Sequence, residues 1–421
     1  MRPNSSREDV GTLPQIRRSL SPPTPGLVAS VALAGLLATM TGCTSSSDSA
    51  PTAVASAPPT IAPTTTTRPS IRRHATIVLV VPVSGPLEGL GSEAREGLEL
   101  AIRHATDDGR LPADIQVRVR VLDESARNFS RTVDRAARSD DVIAIAGGFL
   151  PSSEVVLAPL ARRRKIALFT FTWGAGKEPT SSVRFGPSKT SMSDEAARYI
   201  VAANPNVASI AIVAAPGAAG SVAMRDAIAA KVAPVDPVSP SRPVVTTDTP
   251  TDIALLEQIP LVVTGDGDAA FERYARLRMI PSAGPPSLIV PGDALGCRTA
   301  PLGLAEGTRC VSRGSWHGTS PAAVAFREDI AAVAITPSWA TVVAYDAGSL
   351  IVRIAGPYLF PGNAAPATAR TPLLEAKSAQ AFTAFTGVSG RLTSGEGFVD
   401  DAQVLRAEGG VWVADIASAS A

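Results

Sequence analysis

From Ala75 onward, short unbroken apolar runs alternate with stretches whose apolar residues recur at helical spacing. Thr76–Val83 reads TIVLVVPV, as expected of a strand buried on both faces. Ser92–Thr106 follows as a helix, with Ala94, Leu98, Ala101, Ile102 and Ala105 on one stripe and Ser92 placed to cap it. Gln116–Leu122 (QVRVRVL) alternates apolar and basic residues and is expected near a sheet edge. Ser130–Arg138 is a short helix, Val142–Ala146 (VIAIA) a buried strand, Ser152–Arg163 a helix and Ile166–Thr172 (IALFTFT) a strand. This order predicts a parallel sheet flanked by helices.

A second alternating stretch begins near Ser191. The helix Ser191–Ala203, the strand Val207–Ala214, the helix Ala218–Lys231, the run Leu261–Thr264, the helix Asp268–Arg278 and the strand Ser287–Val290 make a second α/β unit. Residues 233–251 are Pro-rich and read as irregular. Pro321–Ala334 and Ser338–Ala355 read as helices, and Gly387–Ala414 as short strands and turns. The fold class is therefore α/β, with two doubly wound parallel-sheet lobes in series.

The segment before the body is of a different kind. Residues 1–26 are polar and carry Arg2, Arg7, Arg17 and Arg18; an apolar Ala/Gly-rich run, Leu27–Met40, follows. It falls short of the roughly 20 apolar residues of a membrane span and fits the apolar region of a secretory signal. Met40-Thr41-Gly42-Cys43 resembles the lipobox of bacterial lipoproteins, which implies cleavage before Cys43 and acylation on it. The alternative is a plain signal peptide with an incidental cysteine. Residues 44–74 are dominated by Ser, Thr, Ala and Pro, with almost nothing to bury, and are expected to stay disordered as a tether. Such a chain spans on the order of 30 Å root-mean-square. The expected location is the extracytoplasmic face of a cell membrane, held there by lipid.

Roughly 350 residues follow the tether, enough for two ordinary domains. The formal net charge of +1 gives no electrostatic case for nucleic acid. Apart from Cys43 the cysteines are Cys297 and Cys310, an even pair in an exported chain and so an expected disulfide; two free thiols are the alternative. The histidines His74, His104 and His317 lie far apart with no metal spacing, and His104 is expected on a helix surface. Neither Gly-x-Ser-x-Gly nor Ser-x-x-Lys occurs, and Gly186-Pro-Ser-Lys-Thr190 lacks the Gly-Lys pair of a phosphate loop. No enzyme, cofactor or metal site is expected.

The order of particular segments carries a resemblance. VVPVSGPLEGLGSEAREGLELAI, VLDESARN, VIAIAGGFLPSSEVVLAPLARRRKIALFTFTWG, VRFGPSKTSMSDEAARYI, PSWATVVAYDAGSLI and AFTGVSGRLTSGEG occur in the order, and with the character, of type I periplasmic binding proteins. The branch they resemble is the leucine/isoleucine/valine-binding proteins of ABC transporters, and the likeness runs from Ala75 to Ala414. It implies lobes 75–190 plus 315–385 and 191–314 plus 386–421, joined by crossings, with a ligand cleft between.

Open parallel sheets bind ligands beyond the carboxyl ends of their strands, which here places Ser84, Ser152, Ser153, Thr172, Trp173, Gly174, Asp266 and Asp293 as candidates. Ser152 and Ser153 begin a helix after a Gly-Gly turn, where N–H groups, helix dipole and hydroxyls suit a carboxylate. The resemblance maps the contacts to an amino-acid carboxylate onto Ser153, Thr172 and Gly174, and the partner of the ammonium onto Asp293. Ser152 can equally be an ordinary helix cap, Thr172 a packing residue, Trp173 core, and Asp293 a turn residue. The sequence departs from the family at Leu90, where an aromatic often lines the cleft, and at Ala214–Ser221 (AAPGAAGS), where Tyr-Gly is usual. The expected role is capture of a small polar ligand, an amino acid or a relative, for an ABC permease. The alternative is an envelope lipoprotein of the same fold that senses or binds protein through a divergent pocket.

Overall fold

The structure is a computed structural model. It describes residues 73–415 except 86, 173–181, 186–188, 206–208, 216–218, 233–243, 248–258, 266, 278–286, 292–296, 298–305, 313–315, 318–319, 334–336, 361–364, 376–385, 389, 394–396, 401 and 410. All described residues belong to the unit Thr67–Ala421.

The first sheet is built from β1 (Arg73–Val81), β2 (Ile115–Asp123), β3 (Val142–Gly147), β4 (Ala167–Thr170) and β5 (Ser182–Arg184). Its order is β2-β1-β3-β4-β5, and every pairing is parallel. The central β1 and β3 are buried almost end to end, which is why their sequences are apolar without alternation. The edge strand β2 alternates. Val117, Val119 and Val121 pack on the core, while Arg118 and Arg120 are exposed.

On one face lie α1 (Glu88–Asp107) and α8 (Trp339–Leu359); on the other lie α2 (Phe129–Ala136) and α3 (Pro151–Arg164). The α1–α8 seam is very close: a Cβ on Gly97 would stand 2.0 Å from the Thr341 carbonyl oxygen, and one on Gly348 would stand 2.7 Å from Leu98. Glycine lets the two helices approach to backbone contact. Ser338 caps α8 in a capping box with Thr341. The chain therefore returns late to the first sheet. A 3-10 turn (Pro366–Ala369) and α9 (Arg370–Leu374) then cross its amino end, where Arg370 donates to the carbonyls of Val142 and Ser139. The helix α7 (Pro321–Val333) packs through Ala323, Phe326 and Ile330 against Leu100 and Val342.

The second sheet has the order β14-β13-β10-β9-β8-β6-β7. Its parallel part is β6 (Ile210–Ala214), β7 (Val244–Thr247), β8 (Leu261–Gly265), β9 (Leu288–Pro291) and β10 (Arg309–Ser312). Around it stand α4 (Lys189–Ala202), α5 (Ala219–Val232) and α6 (Gly267–Leu277). The final strands β13 (Gln403–Glu408) and β14 (Val411–Ala414) add antiparallel to β10, and β11 (Gly390–Thr393) pairs with β12 (Gly397–Asp400). Cys297 and Cys310 are bonded across a separation of 13 residues.

The structure corrects three local readings. Residues 233–251 are not wholly irregular, because β7 lies within them and pairs with β6. The helix α1 starts at Glu88, so Ser92 is inside it and donates to the Gly89 carbonyl instead of capping. His104 is not on an open surface: its Nδ1 meets the Tyr345 hydroxyl at 3.0 Å and its Nε2 lies 3.4 Å from Asp329.

Candidate functional site

The carboxyl end of the first sheet is shaped by a turn that only glycine adopts readily. Gly147 and Gly148 have φ of +112° and +80°, and a Cβ on Gly147 would stand 2.0 Å from the Val80 carbonyl oxygen. The Gly148 N–H donates to that oxygen at 2.7 Å, which holds the chain against β1 before it enters α3. Phe149 then packs edge-on to Trp339 and beside Phe171, fixing the approach from below.

What sits at the start of α3 is the chain's own carboxylate. Glu124 follows β2, and its N–H donates to the Val81 carbonyl. Its side chain is 4% exposed and accepts the N–H groups of Phe149 at 3.1 Å and Leu150 at 2.9 Å, and the hydroxyl of Ser153. Burial pushes its carboxyl above the usual carboxylate range, and these hydrogen bonds only partly oppose that. The N–H of Ser153 is directed to the Leu150 carbonyl, and proline at 151 has no N–H to give. One residue on, Glu154 in the first turn receives Arg184 of β5 at 2.9 and 3.0 Å. Positive potential and donors at a helix start attract an anion; here the fold supplies it internally.

Asp123 organises the neighbouring loop. It accepts the N–H groups of Val83 at 3.0 Å and Ser125 at 2.9 Å and the hydroxyl of Ser84 at 2.9 Å. Partial burial works against its charge, yet the N–H donors of Val83 and Ser125, with the Ser84 hydroxyl, hold its carboxyl below the usual range. Beside this loop Pro82, Val83, Glu88, Ser92, Arg95 and Val121 line an open hollow of about 310 Å³.

The predicted ligand residues divide accordingly. Ser84 and Ser152 are exposed at this end of the sheet. Ser153 is buried and turned inward to Glu124 rather than toward a ligand. Thr172, just past β4, is fully buried and its hydroxyl has no hydrogen-bond partner among the described residues; the same holds for Thr170. Ser152 does not cap α3, whose N-cap is Leu150. Leu90 lies in the core between α1 and the sheet. Trp173, Gly174, Asp266, Asp293 and Cys43 lie outside the described residues. In the second sheet Thr264, at the end of β8, donates to the Ser221 carbonyl at 2.7 Å, and the buried Ser221 hydroxyl has no partner among the described residues.

Solved structures place this architecture. A substrate-binding protein of an ABC transporter from Desulfitobacterium hafniense, in complex with Leu, superposes with a TM-score of 0.61 at 14% identity, over 82% of this chain and 100% of that one. The chain has the fold of the type I periplasmic binding proteins. A branched-chain amino acid transporter substrate-binding protein from Streptococcus pneumoniae, in complex with isoleucine, superposes with a TM-score of 0.59 at 16% identity, over 81% of this chain and 98% of that one. A leucine-binding protein from Thermotoga maritima gives 0.57 at 16% identity, over 81% and 97%. Residues 75–243 match the family model described as periplasmic binding protein. No curated protein matches the chain by sequence. Glu124 escaped the sequence reading. The only trace of it was an acidic pair, Asp123-Glu124, at the carboxyl end of a strand.

Proposed function

We propose that this protein is an extracytoplasmic solute-binding lipoprotein, anchored through Cys43, that captures an amino acid or a related small polar compound between its lobes for an ABC importer. It binds and releases; it does no chemistry on its ligand. One observation carries the reading: the chain, with its two mainly parallel sheets, superposes over most of its length on proteins solved with Leu and with isoleucine bound. Ligands of open α/β sheets sit beyond the strand ends, and the buried hydroxyl of Thr172 at such an end, which has no partner among the described residues, supports a polar contact there. Because Glu124 fills the start of α3, the ligand's anionic group is assigned to Thr172 and Gly174, with Asp293 opposite its ammonium. No helix among the described residues is long and apolar enough to cross a membrane, and the Cys43 anchor provides the attachment in this reading.

A second reading draws support from Glu124 itself. A carboxylate built into the anion-attracting helix start suits a fold that has given up its amino-acid site and serves as a sensor or protein-binding module. Thermal unfolding against a panel of amino acids, small amides and short peptides separates the two. A ligand at a hundredfold its dissociation constant adds about 2.7 kcal/mol. A shift of that order, lost in Thr172→Val and in Asp293→Ala, supports capture. A folded protein that no compound stabilises contradicts it and leaves the second reading.

A further inference from the structure

The helices on the α2–α3 face both run toward the amino end of the first sheet, since each leads into the start of the next strand. They deliver a dense group of cations there. The α3 helix ends in Arg162–Arg164 followed by Lys165, α2 carries Arg135 in its last turn and Arg131 nearer its start, and Arg138 follows α2. All but the half-buried Arg164 are exposed. Against these seven cations stand three carboxylates, Asp134, Asp140 and Asp141. Asp134 is shared by Arg138, Arg163 and Arg164, at 2.9, 3.3 and 2.9 Å. Asp141 is turned inward to Thr76 and Ser139. Among the described residues Arg131, Arg135, Arg162 and Lys165 have no acidic partner. In a chain of net charge +1 this excess is local. Basic residues in a last helical turn also complement the helix dipole, but that effect calls for one or two cations and does not account for seven.

The same end of the lobe is where the chain enters the fold. Arg73, the first residue of β1, is bonded to Asp114 at 2.9 Å and to the Leu359 carbonyl at 2.7 Å. On either side of Leu359, Tyr358 and Phe360 are 44% and 40% exposed. Tyrosine and other aromatics favour the headgroup level of a bilayer, and basic clusters favour anionic headgroups.

We propose that the amino end of the first lobe, with Arg135, Arg162, Arg163 and Lys165 at its centre, docks on an anionic phospholipid surface. This would hold the cleft on the side of the lobe away from the bilayer. The proposal rests on the reading that Cys43 tethers the chain to a membrane, and the test separates the two.

The full chain carrying Cys43→Ser, which cannot be acylated there, is sedimented with vesicles of phosphatidylcholine alone and of phosphatidylcholine mixed with phosphatidylglycerol. Both measurements share the residues before Arg73, whose own arginines also respond to phosphatidylglycerol, so the part of the increment that is lost on substituting the basic surface is what reports on it. Each cation at such a surface is worth about fivefold in partition, so Arg135→Gln, Arg162→Gln and Arg163→Gln together lower the increment by on the order of 100-fold. The increment also falls with added salt. The corresponding triple Glu variant lowers it further, and the Gln variant stands alone if the Glu variant does not fold. An absent increment, or one unchanged in a folded Gln variant, overturns the proposal and leaves the surface to an acidic protein partner. Comparison of the wild-type chain with Cys43→Ser on neutral vesicles tests the anchor by itself.

Discussion

Replacing Glu124 by alanine removes the acceptor for two backbone N–H groups and a hydroxyl in a site where the lost side chain was 4% exposed. A hydrogen bond to a charged acceptor is worth about 1.5–3 kcal/mol, so three such bonds represent roughly 5–9 kcal/mol of gross interaction. Part of that is returned, because a buried carboxylate carries a desolvation cost of several kcal/mol, and the upward push on the Glu124 carboxyl shows that this cost is present. The expected net destabilisation is about 3 kcal/mol. In a domain of this size each kcal/mol moves the unfolding midpoint by roughly 2–4 °C, giving a fall of about 6 °C or more. Urea unfolding and differential scanning calorimetry measure it. Glu124→Gln keeps the shape and one acceptor, and is expected to lose about half as much. Acetate added to the alanine variant should recover part of the loss by entering the vacated helix start. A change below about 1 kcal/mol in both variants would refute the idea that the helix start is held by an internal carboxylate.

The remaining predictions concern pH, packing and the disulfide. Because burial raises the Glu124 carboxyl, the folded state binds its proton more tightly than the unfolded chain; that stability is complete below the ordinary carboxyl range and is lost as pH rises through the raised value. The advantage of wild type over Glu124→Gln in urea midpoint should therefore be larger near pH 4 than near pH 8, and an advantage that grows with pH would reverse the assignment. Gly97→Ala places a methyl 2.0 Å from the Thr341 carbonyl oxygen and must push α1 from α8; a loss of about 3 kcal/mol or more is expected by chemical unfolding, and a loss under about 1 kcal/mol would mean that the seam is looser than described. Reducing the Cys297–Cys310 bond, which closes a short loop, should cost roughly 3 kcal/mol in the chain-entropy model, read as the shift of the urea midpoint with and without reductant.

The buried strands were legible in sequence because β1, β3 and β8 are buried along nearly their whole length and carry mostly apolar residues on both faces. Alternation in β2 marked it as an edge, and the structure puts it there. Strands set by tertiary pairing were harder to read. Residues Val244–Thr247 lie in a Pro-rich stretch and become a strand by pairing with β6. The site was half legible for a similar reason. Periodicity located the carboxyl ends of the strands and the Ser152-Ser153 helix start. It could not show that Glu124, 26 residues before Leu150, folds back to occupy that start. Nor could it show that Ser153 faces inward while Thr172 keeps a buried hydroxyl without a partner among the described residues. Facing is a property of the packed sheet, where neighbours far apart in sequence compete for the same donors.

Isothermal titration calorimetry of the full chain with the panel amino acids tests the central claim most directly, with wild type, Thr172→Val and Asp293→Ala in parallel. The account predicts one site per chain for at least one small zwitterion or its amide relative, weakened by at least about tenfold in each variant, as loss of a buried polar contact worth about 1.5 kcal/mol requires. No heat of binding for any compound in a folded protein, or binding indifferent to both variants, would contradict it.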